Sequence, residues 1–105
     1  MSKKISKAKA KKMADQFKKE GGQAARSVNF EASQFETLLK EPGCVGIRVY
    51  NAYDEDKKQF TMFLVGTDAK GNNLLPADEF RTDGDPNSIE DDGKPCPPVC
   101  PGNDL

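Results

Sequence analysis

Two stretches of alternating apolar residues, at positions 44–53 and 59–67, constrain this chain more than any other feature of its sequence. A polar DEDKK run separates them, so the pattern predicts two antiparallel strands joined by a tight turn. In the first stretch, Arg48 and Tyr50 fall on the face opposite the apolar side chains, whereas the second stretch is apolar on both faces. Because an isolated hairpin is only marginally stable in water, other elements must cover it.

The segments on either side of the hairpin supply that cover. Apolar residues recur at helical spacing in the lysine-rich segment 2–20 and again in segment 27–43, where Asn29 is the predicted N-cap. Residues 73–76 (NLLP) read as a short third strand that ends at its proline. The predicted fold class is therefore α+β, with two helices packed on a small antiparallel β-meander made of hairpin 44–67 and the third strand.

The last part of the chain has too few large apolar residues to build a core. From Asp83 onward it contains only three of them, together with five prolines. This composition predicts an extended Pro/Cys-rich C-terminal tail. We therefore expect three regions: a basic helical arm (1–22), an α+β core (23–80) and an acidic tail (81–105).

The composition argues against several classes of function. The chain has no histidine and no glycine-rich phosphate loop, so we expect neither an enzyme nor a resident cofactor. No apolar run approaches the roughly 20 residues that a membrane-spanning helix needs. The N-terminal lysines are not followed by the apolar region of a signal peptide, so the predicted location is cytoplasmic.

Three cysteines, Cys44, Cys96 and Cys100, are the candidate metal ligands. An extended polyproline path rises about 3.1 Å per residue and would separate the Cα atoms of Cys96 and Cys100 by about 12 Å. A disulfide needs roughly 4.4–6.8 Å, so closure would require a turn, and a reducing compartment also disfavours it. Three thiolates without histidine suit zinc or copper(I), provided that the tail folds back toward Cys44. The competing interpretation is that Cys44 is a small residue at the end of a strand and that the thiols of Cys96 and Cys100 are solvated.

Two surfaces are candidates for contact with a protein partner. One is the hairpin face that carries Arg48 and Tyr50. If another element covers this face, Arg48 needs an acidic partner such as Glu31 or Asp68. The other is the tail, where two overlapping PxxP patterns are typical of polyproline ligands. The tail residues expected to contact a partner are Pro95, Pro97, Pro98 and Val99.

The lysine-rich segment offers a third kind of site. Residues 1–20 carry a formal charge of +6, against −1 for the whole chain. Lys7, Lys11 and Lys12 are the candidate contacts to phosphate groups of a nucleic-acid backbone. No arginine or aromatic residue lies among the first lysines, so readout of base sequence is not expected. The simpler interpretation is a solvated helix face.

Three motifs occur together in this chain: GCVGIRVY (43–50), VGTDAKGN (65–72) and CPPVC (96–100). In this combination it resembles a group of small uncharacterised Bacteroidota proteins, over residues 30–101. The resemblance brings no functional residues with it. It implies that Cys44 and the two tail cysteines belong to one structural unit, and that the tail folds back onto the sheet.

These observations predict a small non-enzymatic binding or accessory protein that acts through its hairpin face and its tail. One alternative is a thiol-based metal-binding or redox-responsive protein that uses Cys96 and Cys100, with Cys44 as a third sulfur. The other is an accessory protein that contacts nucleic acid through its basic helix.

Overall fold

The computed structural model describes residues 4–76 and 87–103 of the chain. In chain order its elements are α1 (Lys7–Glu20), β1 (Ser27–Asn29), α2 (Ala32–Leu39), β2 (Gly46–Asp54), β3 (Gln59–Thr67), β4 (Asn73–Leu74), β5 (Ile89–Glu90) and β6 (Lys94–Cys96). All strand pairs are antiparallel. The α+β class, the hairpin and the short third strand predicted from the sequence are therefore confirmed.

β3 is the central strand of the larger sheet. β2 pairs with β3 along its whole length, from Gly46 opposite Thr67 to Asp54 opposite Gln59. Because β2 occupies one edge of β3, β4 and β5 must share the other edge. Neighbouring side chains of a strand point to opposite faces, and both Leu64 and Val65 are buried. The apolar character of β3 on both faces thus reflects its interior position.

Each turn of the meander is closed by an aspartate at its start. Asp54 Oδ1 accepts hydrogen bonds from the backbone N–H groups of Asp56 and Lys57, at 2.9 and 3.1 Å. Asp68 Oδ1 accepts two more from N–H groups of the next turn, both at 2.9 Å, and Gly71 takes a φ of +83° there. Aspartate favours such turns because its short side chain can satisfy nearby backbone donors.

The lysine-rich helix α1 has no buried side chain. It begins later than the sequence periodicity indicates, because Ser6 is its N-cap and accepts a hydrogen bond from the Lys9 N–H at 3.1 Å. Its last turn ends at Gly21, and Gly22 follows in the left-handed region at φ +59°. Its large apolar residues, Met13 and Phe17, are 56 and 41% exposed, so most of the surface of α1 faces water.

The second helix is shorter than predicted, and Asn29 is not its cap. Asn29 belongs to β1, and the N-cap of α2 is Glu31, whose backbone N–H donates to Gln34 Oε1 at 2.9 Å. The reason is tertiary: β1 finds a strand partner in β6, which local sequence does not reveal. α2 packs on β2 and β3 and buries Leu38 completely.

The C-terminal residues differ from the extended tail that their composition predicts. β5 pairs with β3, and β6 forms a separate two-stranded sheet with β1, extended by a 2.7 Å hydrogen bond from the Arg26 N–H to the Cys96 carbonyl. Gly93 allows this packing, because a Cβ on it would clash with the side chains of Val28 and Phe30. Residues 87–103 thus fold back, with β5 on β3 and β6 on β1.

Candidate functional site

Cys96 and Cys100 form a disulfide, with their Cα atoms 4.7 Å apart. The expectation that this segment stays extended is therefore wrong for residues 96–100. The Val99 N–H donates to the Pro95 carbonyl at 2.9 Å, which bends the backbone into a turn, and the Cys96–Pro97 and Pro97–Pro98 peptide bonds are cis. A closed loop replaces the polyproline ligand that the PxxP patterns indicate.

The structure does not assemble the predicted metal site. Cys96 and Cys100 are bonded to each other, and Cys44 is a separate, half-buried thiol that contacts the Gly46 carbonyl at 3.2 Å. Within residues 4–76 and 87–103, no three His, Cys, Asp or Glu side chains are placed to hold a metal ion together. Zinc or copper(I) binding through these cysteines stays a prediction that requires reduction and rearrangement of the loop.

A groove lined by aromatic residues is shared by α1 and the turn end of the hairpin. Phe17 of α1, Tyr53 of β2 and Phe60 of β3 line it, and the exposed fractions of these side chains are 41, 51 and 38%. Tyr53 and Phe60 form an edge-to-face pair with ring centroids 5.0 Å apart. The groove has a volume of about 440 Å³, and its remaining lining is Ala24, Ala25, Asn51, Ala52 and Thr61. Large apolar rings are thus left accessible in a concave surface.

The disulfide loop borders the same region. Pro97 lines a depression of about 210 Å³ together with Tyr53, Phe60 and Ala25. It also lines a second depression with Phe17. The turn end of the hairpin and the disulfide loop therefore line one continuous surface, which we call the aromatic groove. The hairpin face predicted from the sequence, that of Arg48 and Tyr50, is not part of it.

The rim of the aromatic groove is basic. Its lining includes the side chains of Lys18, Arg26 and Lys58, and no acidic side chain among the described residues lines these depressions. Lys18 is also 3.8 Å from Asp15, an exposed pair of the kind that contributes little to stability. The Arg26 guanidinium lies 3.8 Å from Cys100 Sγ, beside the disulfide. The groove thus combines aromatic walls with positive charge.

Arg48 and Tyr50 lie together on the opposite face of the hairpin, linked by Asn73. Arg48 Nη1 donates to Asn73 Oδ1 at 2.7 Å, and Asn73 Nδ2 donates to the Tyr50 hydroxyl at 2.6 Å. Tyr50 stacks on Phe63, with ring centroids 5.1 Å apart. The partner of Arg48 is thus an amide on β4, and not the acidic residue considered from the sequence. Tyr50 is half-buried, so only Arg48 of this pair is well exposed.

The remaining predicted contact residues differ in accessibility. Pro95 is buried inside β6, whereas Pro97, Pro98 and Val99 are exposed on the disulfide loop. Lys7, Lys11 and Lys12 are exposed on α1, and Lys11 is 3.9 Å from Asp15. The structure leaves these three lysines accessible to a phosphate backbone, and the nucleic-acid hypothesis stays a prediction.

A buried carboxylate near Cys44 is absent from the sequence-based candidates. Glu41 Oε2 accepts a hydrogen bond from the Ser88 backbone N–H at 2.8 Å, and the Ser88 hydroxyl lies between Glu41 Oε2 at 3.3 Å and Glu90 Oε2 at 2.9 Å. Gly66 permits this arrangement, because a Cβ there would be 3.0 Å from both Glu41 Oε1 and Cys44 Sγ. The contact ties the C-terminal segment to the loop after α2. We assign it a structural role.

No helix among the described residues is long and apolar enough to cross a membrane. No protein-family profile, curated protein or solved structure matches this chain. The geometry described above is therefore the basis for the functional conclusions that follow.

Proposed function

We propose that this chain is a non-enzymatic binding protein that docks a segment of a partner protein in the aromatic groove. The observation that carries the proposal is the shared lining by Tyr53 and Phe60 of the hairpin and Pro97 of the disulfide loop. Aromatic side chains in concave, water-accessible surfaces are the usual anchors of protein interfaces, because they gain large contact area at low entropic cost. The hairpin and the tail act together in this proposal.

The residues that line the aromatic groove also indicate which side chains the partner segment should carry. Aromatic walls favour an apolar side chain in the groove, and the cations of Lys18, Arg26 and Lys58 favour acidic residues beside it. An extended acidic segment with one or two large apolar side chains satisfies both conditions. Because the charges lie at an exposed rim, salt should weaken the interaction.

Selection from a random peptide library on the immobilised full chain tests this proposal. We expect enriched peptides to carry an aromatic or aliphatic residue next to Asp or Glu. Phe17→Ala should weaken their binding roughly tenfold, as truncation of an interface anchor costs at least 1–2 kcal/mol. Met13→Ala is the matched control, because Met13 is exposed on the same helix and lies outside the lining of the groove.

The same selection can also contradict the proposal. Enriched peptides that bind the wild-type chain and the Phe17→Ala variant equally well would place the docking site elsewhere. Enrichment of basic peptides, or of no peptides, would contradict the proposal that the partner segment is acidic with large apolar side chains. Circular dichroism of both variants controls for loss of α1.

A second candidate function, redox response, rests on the accessibility of the disulfide. Cys100 is exposed beside the Arg26 guanidinium, whereas Cys96 is buried, so an attacking thiolate would reach Cys100 first. Disulfides in a reducing compartment such as the predicted cytoplasm are usually transient or redox-sensing. In this function, reduction would release the loop that carries Pro97 and alter one wall of the groove.

Thiol titration under denaturing conditions checks this second function. Protein purified without reductant should yield one reactive thiol per chain, that of Cys44, and three after reduction. The Cys44→Ala variant should lower each count by one. Three thiols before any reduction would show that the loop is open in the purified protein, and the redox function would then have no disulfide to act on.

A further inference from the structure

The outer edge of β2 carries backbone hydrogen-bonding groups that are not part of the aromatic groove. Among the described residues, β2 pairs only with β3, so a nine-residue strand presents its outer backbone groups without a strand partner there. Edge strands are commonly protected by proline, by lysine or by short length. β2 contains no proline and no lysine, and its exposed side chains are Arg48, Val49, Asn51 and Tyr53.

We propose that β2 pairs with β2 of a second copy of this chain, antiparallel, about a two-fold axis at Asn51. This contact uses the backbone edge of β2 and goes beyond the proposed docking function, and two of its residues, Asn51 and Tyr53, also line the aromatic groove. A two-fold axis perpendicular to the sheet places the same face of both copies on the same side. Residues that oppose each other must therefore belong to the same face, which permits only registers centred on a residue.

The register centred on Asn51 is complementary in charge and shape. It places Arg48 opposite Asp54 of the second copy, twice by symmetry, and these are the only charged residues of the strand. It also places Val49 opposite Tyr53 of the second copy, a β-branched and aromatic pair of the kind that stabilises adjacent strands. Asn51 opposes itself at the axis. Two of the three unlike pairs within the strand are thus favourable, and the third places Tyr50 opposite Ala52.

The neighbouring registers lack this complementarity. Centred on Tyr50, the axis would place Arg48 opposite Ala52 and Asp54 opposite Gly46. Centred on Ala52, it would place Asp54 opposite Tyr50. In the Asn51 register Arg48 exchanges its hydrogen bond to Asn73, which lies on β4 beyond β3, for the Asp54 carboxylate of the second copy. Asp54 uses Oδ1 for its turn and has its second oxygen left for this contact.

Sedimentation of the full chain over a wide concentration range tests self-association. The mass should rise from 11.5 kDa toward twice that value for the wild type. Arg48→Glu and Asp54→Lys, each alone, should weaken the dimer about tenfold, because like charges then face each other twice. An equimolar mixture of the two variants restores both opposite-charge pairs and should dimerise again. A wild type that stays at 11.5 kDa, or a mixture no better than its components, would overturn the proposal.

Disulfide trapping decides the register even if Asp54→Lys fails to fold. In a Cys44→Ala background, Asn51→Cys places the new thiol opposite its own copy and should yield a covalent dimer on mild oxidation. Val49→Cys is the matched control, exposed on the same face of the same strand but opposite Tyr53 of the second copy. Equal trapping at both positions, or none at position 51, would contradict the Asn51 register. Because Phe17 lies outside β2, the peptide selection and this test can fail separately.

Discussion

Leu38→Ala should lower the free energy of unfolding by about 2–5 kcal/mol, the range measured for large-to-small changes at buried sites. Leu38 is completely buried, and among the described residues only Ala25, Leu64, Val65 and Cys96 accompany it in the apolar core. Domains of this size have about 5–15 kcal/mol of total stability. The loss would therefore remove a large part of the stability, and a measurable unfolded population is expected without denaturant.

Urea denaturation followed by circular dichroism measures this loss. The matched control is Leu39→Ala, because Leu39 is the next residue of the same helix and is 54% exposed. We expect the control to stay within about 0.5 kcal/mol of the wild type, as surface substitutions usually do. Equal losses for the two variants would show that α2 does not pack on the sheet through Leu38.

Glu41→Ala should destabilise the fold by roughly 2–3 kcal/mol, because it leaves a buried donor without its acceptor. The Ser88 backbone N–H donates to the Glu41 carboxylate, and both residues are buried. The Ser88 hydroxyl has a second, closer acceptor in Glu90. Ser88 comes directly before β5, so the same loss should loosen the attachment of the C-terminal segment. We therefore expect faster amide exchange in residues 88–96 than in the hairpin.

Glu41→Gln separates the hydrogen bond from other effects of the substitution. Glutamine keeps an oxygen that can accept from the Ser88 N–H, so it should be less damaging than alanine. Hydrogen exchange read by mass spectrometry locates the change, and urea denaturation gives its size. Uniformly faster exchange across the chain, or alanine and glutamine variants of equal stability, would argue against the anchoring role of Glu41.

The elements that depend on local pattern were predictable from the sequence. The hairpin follows from alternation around an acidic turn, and its aspartates close the turns as their positions indicate. β1 was not predictable in this way. Local sequence predicts a helix over its three residues, because their strand partner, β6, lies in a distant segment whose composition predicts an extended tail. The long-range pairing therefore outweighs a weak local preference for helix.

The candidate site was predictable only in part, for a similar reason. The hairpin and the tail are predicted as contact surfaces, but the pattern points to the face of Arg48 and Tyr50, and nothing in it indicates that the other face meets the tail. Phe17, Tyr53 and Phe60 are ordinary apolar residues of a helix and two strands, and only tertiary packing collects them. The loop closure at Cys96 does not follow from composition, because proline-rich segments favour an extended path that keeps Cys96 and Cys100 too far apart for a disulfide. A turn shortens that distance below the range of extended proline segments.

The pairing of β1 with β6 has a consequence for the order in which parts of the molecule open. It joins positions 27–29 to positions 94–96 through three residue pairs, whereas the hairpin is local and has nine. Pairing residues that are far apart in the sequence costs more loop entropy than pairing neighbours. We therefore expect this small sheet to form last and to open first. Opening of this sheet would separate α1, Ala25 and Pro97 from the hairpin, whose two strands would stay paired. The aromatic groove would then come apart through a partial opening of the chain, at a lower free energy than global unfolding.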